Sequence, residues 1–300
     1  ARRSQSSASL PVKMTVHCLE QFKLPRSKGL ARELIGEFIG TAIIIVFGVG
    51  VVASARLQYP AFDGSSSPAP GDNYAQAIYI NMVWGIGVSL GIMASCELSG
   101  AHLNPSVTLY ALLFSDFPGA KVLPYIGAQT VGAFLGALIV TLNYVVFYGS
   151  THLQNYYCTG PLPGENWANA FLTEVVGTML LLLGILSTST DGKPASKPTL
   201  AAWVGVCVFA IGNAFGILSG YALNPARDFG PRMCYLIFAT AYGQDNLWKN
   251  VMGDGYFWIP LVAPPIGALL GGAVHRIFLE SGPDPQARDD HESWRVTRVE

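Results

Sequence analysis

The chain has 300 residues, of which 51% are hydrophobic and only 12% are charged, whereas about 25% of the residues of an average soluble domain are charged. The hydrophobic content excludes a disordered chain, and a net charge of −1 gives no basic footprint for a nucleic acid. Glycine is frequent, with 33 residues, but it lacks the three-residue period of collagen. The composition therefore predicts an integral membrane protein.

Six apolar stretches are long enough to cross a bilayer, since a helix needs roughly 20 apolar residues to cross about 30 Å of hydrocarbon. In chain order they are Leu34–Ala55, Ala75–Cys96, Val122–Tyr148, Ala168–Ser189, Leu200–Ser219 and Tyr256–Val274. All of them are rich in small residues, which allow helices to pack closely in lipid. The sequence predicts an all-α membrane protein with six transmembrane helices.

Basic residues are distributed unevenly around these stretches. Seven of them precede the first stretch, whereas the loop 149–167 carries none. Because short loops rich in Lys and Arg stay in the cytoplasm, we expect both termini to be cytoplasmic. We divide the chain into a cytoplasmic tail at 1–32, a membrane domain at 33–280 and a second cytoplasmic tail at 281–300.

Two shorter apolar stretches remain, Asn104–Phe114 and Asn224–Phe238. Ten helical residues reach roughly 15 Å, which is half of a bilayer. These stretches are too short to span the membrane, and we expect them to be re-entrant half-helices.

The two half-helices belong to an internal repeat. The run 99–106 reads SGAHLNPS, and the run 219–226 reads SGYALNPA. Glu37 opens a second matching pair of runs, since its neighbours Gly40 and Thr41 recur after Glu174. Three spans per repeat is an odd number, so the copies at about 33–148 and 168–280 enter the membrane from opposite sides. Folds of this kind place their binding site at the midplane, where the copies meet.

An Asn-Pro pair opens each half-helix. Pro105 and Pro225 suit the first helical position, which needs no N–H partner, and Asn104 and Asn224 then occupy the favoured N-cap. The two helices would meet with their N-termini facing each other. Each N-terminus carries roughly half a positive charge, so the pair predicts a central barrier to cations. The Asn amides would cap their helices and offer N–H donors to a passing oxygen.

An extended segment must lead into each half-helix, and Gly100 and Gly220 give the backbone the freedom that it requires. The carbonyl groups of these segments would form a ladder of acceptors, namely those of Gly100, Ala101, His102, Gly220, Tyr221 and Ala222. We expect Glu37 and Glu174 to support the segments by accepting their N–H groups. A proton relay through these carboxylates is the alternative.

Other polar residues are candidates for chemistry at membrane depth. Arg227 lies inside the second half-helix, where an arginine indicates function; a structural salt bridge with Asp228 is the alternative. We interpret His102 as a structural hydrogen-bonding residue, because no His or carboxylate stands at metal-ligand spacing from it. The five cysteines give no even disulfide framework. We predict no cofactor, no metal and no enzymatic activity.

These residues resemble the aquaporin family over about 33–280, which implies an aquaporin-type channel domain. The family has two Asn-Pro-Ala boxes on half-helices, and here the second box, Asn224–Ala226, is intact. The first box departs from the pattern at Ser106. The resemblance implies a homotetramer with one pore in each subunit.

The run 220–232 is similar to the signature of the glycerol-facilitator (aquaglyceroporin) branch. Four positions carry residues of that branch, where water-selective members favour other residues: Asp228, Arg232, Pro260 and Leu261. The resemblance places the selectivity filter of the family at Trp84, Gly212, Tyr221 and Arg227. It also implies structural support from Asp228. Without the resemblance, Trp84 would be interpreted as an interfacial anchor.

The resemblance therefore implies passive conduction of glycerol, water and other small neutral solutes such as urea, with exclusion of ions and protons. Such a channel would lie in the lipid bilayer of the plasma membrane. Three alternatives remain at this point. They are a mainly water-selective aquaporin, a secondary transporter, which also uses inverted repeats and broken helices, and a structural membrane protein with little conduction.

Overall fold

The computed structural model describes residues 29–58, 72–148, 157–161, 164, 166–188 and 195–280. Within these ranges the regular structure is entirely helical. The α-helices are α1 Leu30–Gln58, α2 Asp72–Ser99, α3 Pro105–Phe114, α4 Gly119–Tyr148, α5 Trp167–Leu186, α6 Lys197–Ser219, α7 Pro225–Ala241, α8 Leu247–Met252 and α9 Ile259–Val274. A 3-10 segment, Gly253–Trp258, precedes α9, and a π turn, His275–Leu279, follows it.

Six apolar helical segments of the described chain are long enough to cross a membrane, which confirms the predicted fold class. Five of them are single helices. The sixth, Leu247–Leu279, combines α8, the 3-10 segment, α9 and the π turn. The chain is thus an integral, multi-pass membrane protein. Most of the first predicted tail and all of the second, at 1–28 and 281–300, lie outside the described residues.

The two short helices begin at the predicted prolines. Helix α3 has 10 residues and ends at Phe114 as expected, whereas α7 has 17 residues and continues past Phe238 to Ala241. The side-chain oxygen of Asn104 accepts the N–H of Ser106 at 2.8 Å. That of Asn224 accepts the N–H of Ala226 at 3.0 Å. Both asparagines therefore cap their helices as the sequence predicts.

The short helix of each repeat packs against a long helix of the other repeat. In the first repeat α1 packs against α2 and α4, and in the second repeat α5 packs against α6 and α9. Helix α3 of the first repeat packs against α9 of the second, while α7 of the second packs against α4 of the first. Each half-helix is therefore held by the last span of the opposite repeat, and the two N-termini meet between the repeats.

Glycines allow these helices to approach each other. A Cβ atom at Gly132 on α4 would lie 2.3 Å from the carbonyl oxygen of Phe38 on α1, and one at Gly267 on α9 would lie 2.2 Å from that of Val175 on α5. Helices α2 and α6 cross at Gly85 and Gly205, where a Cβ on either residue would lie 2.5 Å from the carbonyl oxygen of the other. Distances this short exclude any side chain. The high glycine content of the sequence is thus explained largely by helix packing.

Candidate functional site: the junction of the two half-helices

The two Asn-Pro boxes are joined by reciprocal hydrogen bonds. The Nδ2 atom of Asn104 donates to the carbonyl oxygen of Leu223 at 2.9 Å, and that of Asn224 donates to the carbonyl oxygen of Leu103 at 2.8 Å. An asparagine amide carries two N–H groups, so one remains on each residue for a solute. Both asparagines line a cavity of about 290 Å³. These two hydrogen bonds therefore join the repeats at the junction, and each asparagine keeps one N–H donor for a solute at the centre.

The segments before the boxes have left-handed backbone at alternate residues. In the first segment φ is +56° at Ala101 and +52° at Leu103, and in the second it is +36° at Tyr221 and +55° at Leu223. Non-glycine residues adopt this region rarely. The sequence predicts extended backbone here but gives no sign of this strain, because only Gly100 and Gly220 are of the type that favours positive φ.

Five of the six residues of the predicted carbonyl ladder line the cavity, and they are Gly100, Ala101, His102, Tyr221 and Ala222. The sixth, Gly220, packs against Thr159, whose Cβ would lie 2.9 Å from a Cβ atom at the glycine. The glycine is therefore required for the fit between this segment and the loop that contains Thr159.

Two buried glutamates hold the strained segments in place. Glu37 accepts the N–H groups of His102 at 2.9 Å and Leu103 at 2.7 Å. Glu174 accepts those of Ala222 and Leu223, both at 2.8 Å. These are the contacts that the scaffold interpretation requires, since an unpaired buried N–H is costly. Gln129 adds a donor to Glu37 at 2.7 Å, although no motif or spacing in the sequence points to this residue.

Three of the four predicted filter residues line the cavity together. The Cζ atom of Arg227 lies 4.2 Å from the ring centroid of Trp84, within the range of a cation–π contact. Tyr221 lines the same cavity. Arg227 is 8% exposed, so its guanidinium group is almost fully buried against the ring of Trp84.

The position of Gly212 is not the one expected for a residue that lines the filter. It does not line the cavity, and a Cβ atom on it would lie 2.9 Å from Cζ of Tyr221. A Cβ atom at Gly216, one turn later, would lie 2.7 Å from Cδ1 of the same ring. The space that Gly212 leaves is therefore filled by Tyr221, whose ring packs against α6.

The alternative of a salt bridge between Arg227 and Asp228 is not what the structure has. Asp228 instead pairs with Arg232, one turn along α7, at 2.7 Å. Its Oδ1 atom also accepts the backbone N–H and the hydroxyl of Thr159, both at 2.7 Å. The ion pair thus ties the loop between α4 and α5 to the second half-helix. Burial raises the pKa of the neighbouring Cys158 thiol to about 12, so this cysteine stays neutral.

His102 and Ser106 lie on the other side of the junction. The Nδ1 atom of His102 lies 3.2 Å from Oγ1 of Thr108, and its ring packs against Phe117 and Tyr125. The hydroxyl of Ser106 is buried and has no hydrogen-bond partner among the described residues. Over the same part of the chain, no group of three or more His, Cys, Asp or Glu residues could hold a metal ion.

Comparison with known proteins identifies the family to which this arrangement belongs. Residues 25–275 match the Major intrinsic protein family. The chain belongs to this family. It is 36% identical over 245 residues to a probable glycerol uptake facilitator protein of Thermotoga maritima, which covers 80% of this chain and 97% of the relative. A propanediol uptake facilitator of Citrobacter freundii is 36% identical over 270 residues, which cover 83% and 93% of the two chains.

A solved structure agrees with these relatives. The aquaglyceroporin from Plasmodium falciparum is 33% identical and has a TM-score of 0.70, and the match covers 84% of this chain and 97% of that chain. The resemblance to the aquaporin family that the Asn-Pro boxes indicate is thereby confirmed. The roles of the individual filter residues in this major intrinsic protein stay predictions.

Proposed function

We propose that the protein is a passive channel for glycerol, other small neutral solutes and water, and that it excludes ions and protons. The observation that carries this proposal is the filter, in which Arg227 stacks on Trp84 and the ring of Tyr221 lines the same cavity. Such a site combines one hydrogen-bonding group with two aromatic rings. Glycerol has the same division, with hydroxyl groups along one edge and a CH₂ and CH backbone along the other.

The pore lowers the barrier to a polyol by replacing its hydrogen bonds to water. A hydroxyl transferred into lipid without a partner costs several kcal/mol. Arg227, the carbonyl groups of both extended segments and the amides of Asn104 and Asn224 supply partners along one wall. The opposite wall is apolar, with Val88, Ile92 and other aliphatic residues lining the cavity. No covalent step is needed, so the protein is not an enzyme.

Ions and protons are excluded by charge and by incomplete solvation. The N-termini of α3 and α7 meet at the junction, and each contributes roughly half a positive charge. Arg227 adds a fixed charge in the filter, and together these charges repel cations. A water molecule at the centre donates to neither asparagine amide but accepts from both, which interrupts a hydrogen-bonded chain that could carry protons.

We extend the proposal to the setting of the channel. It would lie in the plasma membrane with both termini in the cytoplasm, as the basic residues before α1 favour. It would assemble as a homotetramer with a pore in each subunit. Glycerol, propanediol and urea are the solutes to be compared first, since relatives are named for uptake of the first two.

Paired flux measurements on proteoliposomes test the proposal. Stopped-flow light scattering should show rapid shrinkage after an osmotic step, followed by fast reswelling when glycerol is the osmolyte. Shrinkage without reswelling would indicate a water-selective aquaporin instead. Glycerol flux that saturates and depends on a Na⁺ or H⁺ gradient would indicate a secondary transporter. Sucrose, which is too large for the filter, serves as the control osmolyte.

A further inference from the structure

Asn81 on α2 holds the hydroxyl group of the filter tyrosine. The hydroxyl of Tyr221 donates to Oδ1 of Asn81 at 2.6 Å. Asn81 is only 5% exposed and does not line the cavity, whereas Tyr221 does. The hydroxyl therefore points away from the path of the solute, although the ring borders that path.

This contact restrains the tyrosine on a third side. Its ring already lies against Gly212 and Gly216 of α6, at separations that leave no space for a side chain on either glycine. Its backbone, at φ +36°, is strained, and its N–H group donates to Oγ of Ser219 at 3.1 Å. With Asn81 bound as well, the ring cannot turn its polar end toward the solute without losing a buried hydrogen bond.

The contact also has no counterpart in the other repeat. A shift of 120 residues relates Asn104 to Asn224, and the same shift relates Asn81 to Ala201 and Ala101 to Tyr221. Neither alanine can form a side-chain hydrogen bond. The scaffold contacts recur in both repeats, as the two glutamates do, but the Asn81–Tyr221 pair occurs only beside the filter. It therefore serves the filter rather than the fold.

We propose that Asn81 is a positioning residue that sets the polarity of the filter. By binding the phenol hydroxyl, it leaves Arg227 as the polar side chain of the filter and presents only the apolar face of Tyr221 to the carbon backbone of a polyol. This inference rests on the proposed glycerol channel. Without Asn81, the orphaned hydroxyl would turn toward the cavity, where it can find a partner and would narrow the filter.

The test compares glycerol and water permeability in proteoliposomes, normalised to the amount of reconstituted protein. Asn81→Leu removes the acceptor and keeps a side chain of similar size. An unpaired buried hydroxyl is costly, so that of Tyr221 should turn toward the cavity and narrow the filter. We therefore expect glycerol permeability to fall about tenfold. Water permeability should change by less than about twofold. Adding Tyr221→Phe to this variant removes the orphaned hydroxyl and should restore the glycerol-to-water ratio.

Two comparisons keep the test decisive. Asn213→Leu is the matched control, because Asn213 is exposed on α6 and its Nδ2 atom donates only to its own helix, to the carbonyl of Phe209 at 2.8 Å. It should leave the ratio unchanged. If Asn81→Leu does not insert, the double variant is compared with Tyr221→Phe alone, and equal ratios are expected.

An unchanged ratio in Asn81→Leu, or a double variant no better than the single one, would overturn the inference. Failure of the proposed function is a separate outcome, because the unmodified protein would then conduct no glycerol at all.

Discussion

The filter and the region related to it by the repeat differ in nearly every property. The 120-residue shift relates the filter residues to four other residues, all of which line the cavity. These counterparts of Trp84, Gly212, Tyr221 and Arg227 are Val204, Ile92, Ala101 and Val107. The filter therefore has two aromatic rings and a charge, whereas its four counterparts are aliphatic and uncharged.

The scaffold, by contrast, is the same in both halves. Each half has a buried glutamate that accepts N–H groups of the extended segment, a capping asparagine, and a serine whose hydroxyl accepts an N–H two residues later. Permeation steps in series limit the flux at the narrowest one, so a single constriction is enough to select the solute. The contacts that recur in both repeats therefore build the pore, and we expect the departures from the repeat to set its selectivity.

The largest effect is expected in the scaffold, where the two repeats make the same contacts. Glu174→Ala leaves the hydroxyl of Ser219 and the N–H groups of Ala222 and Leu223 without their acceptor. Each such buried group costs roughly 1–3 kcal/mol, so the three together approach the roughly 5–15 kcal/mol by which a typical protein is stable. We expect Glu174→Ala and Glu37→Ala to lose most of the folded protein, measured as monodisperse protein recovered in detergent.

An exposed glutamate provides the control for this pair. The side chain of Glu97 is 71% exposed and pairs with Lys197, and surface ion pairs contribute about 0–1 kcal/mol. Glu97→Ala should therefore yield normal amounts of protein. A large loss for one buried glutamate and none for the other would mean that the two halves do not share a scaffold.

The next effect is expected at Gly212, where the halves differ. Gly212→His places a Cβ atom 2.9 Å from both Tyr221 and Asn81, so the tyrosine must move into the pore. We expect glycerol permeability to fall more than about tenfold and water permeability to fall much less, because a smaller solute needs less of the lost space. Stopped-flow measurements with both osmotic protocols give the two values.

Ile92→Ala at the related position enlarges the cavity and should change neither permeability by more than about twofold. Equal loss of water and glycerol in Gly212→His would contradict the assigned filter and indicate misfolding instead.

The sequence predicted the scaffold better than the filter. The spans follow from apolar length, and the half-helices and their caps follow from the repeated Asn-Pro pairs. The role of Gly212 could not be read in the same way, because the residue that fills its space lies on another element. The same is true of Thr159, which binds Asp228 across 69 residues of chain. Such contacts depend on which helices pack together, and neither spacing nor composition contains that information.

Arg227→Ala should have a smaller effect than Gly212→His and a larger one than Ser106→Ala. The substitution removes the fixed charge of the filter but leaves the opposed helix N-termini in place. We expect proton permeability to rise about tenfold, measured with a pH-sensitive dye inside proteoliposomes under an imposed pH gradient. Val107→Ala at the related position should leave it unchanged. Unaltered proton exclusion in Arg227→Ala would mean that the junction alone provides the barrier.

The smallest effect is expected at Ser106, the one residue at which the two boxes differ. Its hydroxyl is buried without a partner among the described residues, so Ser106→Ala removes an unpaired polar group and should stabilise the protein by about 1 kcal/mol. Glycerol permeability should stay within about twofold of the original. Ala226→Ser makes the reverse change in the second box, where the alanine is 1% exposed, and should destabilise by a similar amount. Thermal unfolding in detergent measures both. If Ser106→Ala instead lowered glycerol permeability more than about fivefold, the hydroxyl would have to reach the solute, and the two boxes would differ in function as well as in sequence.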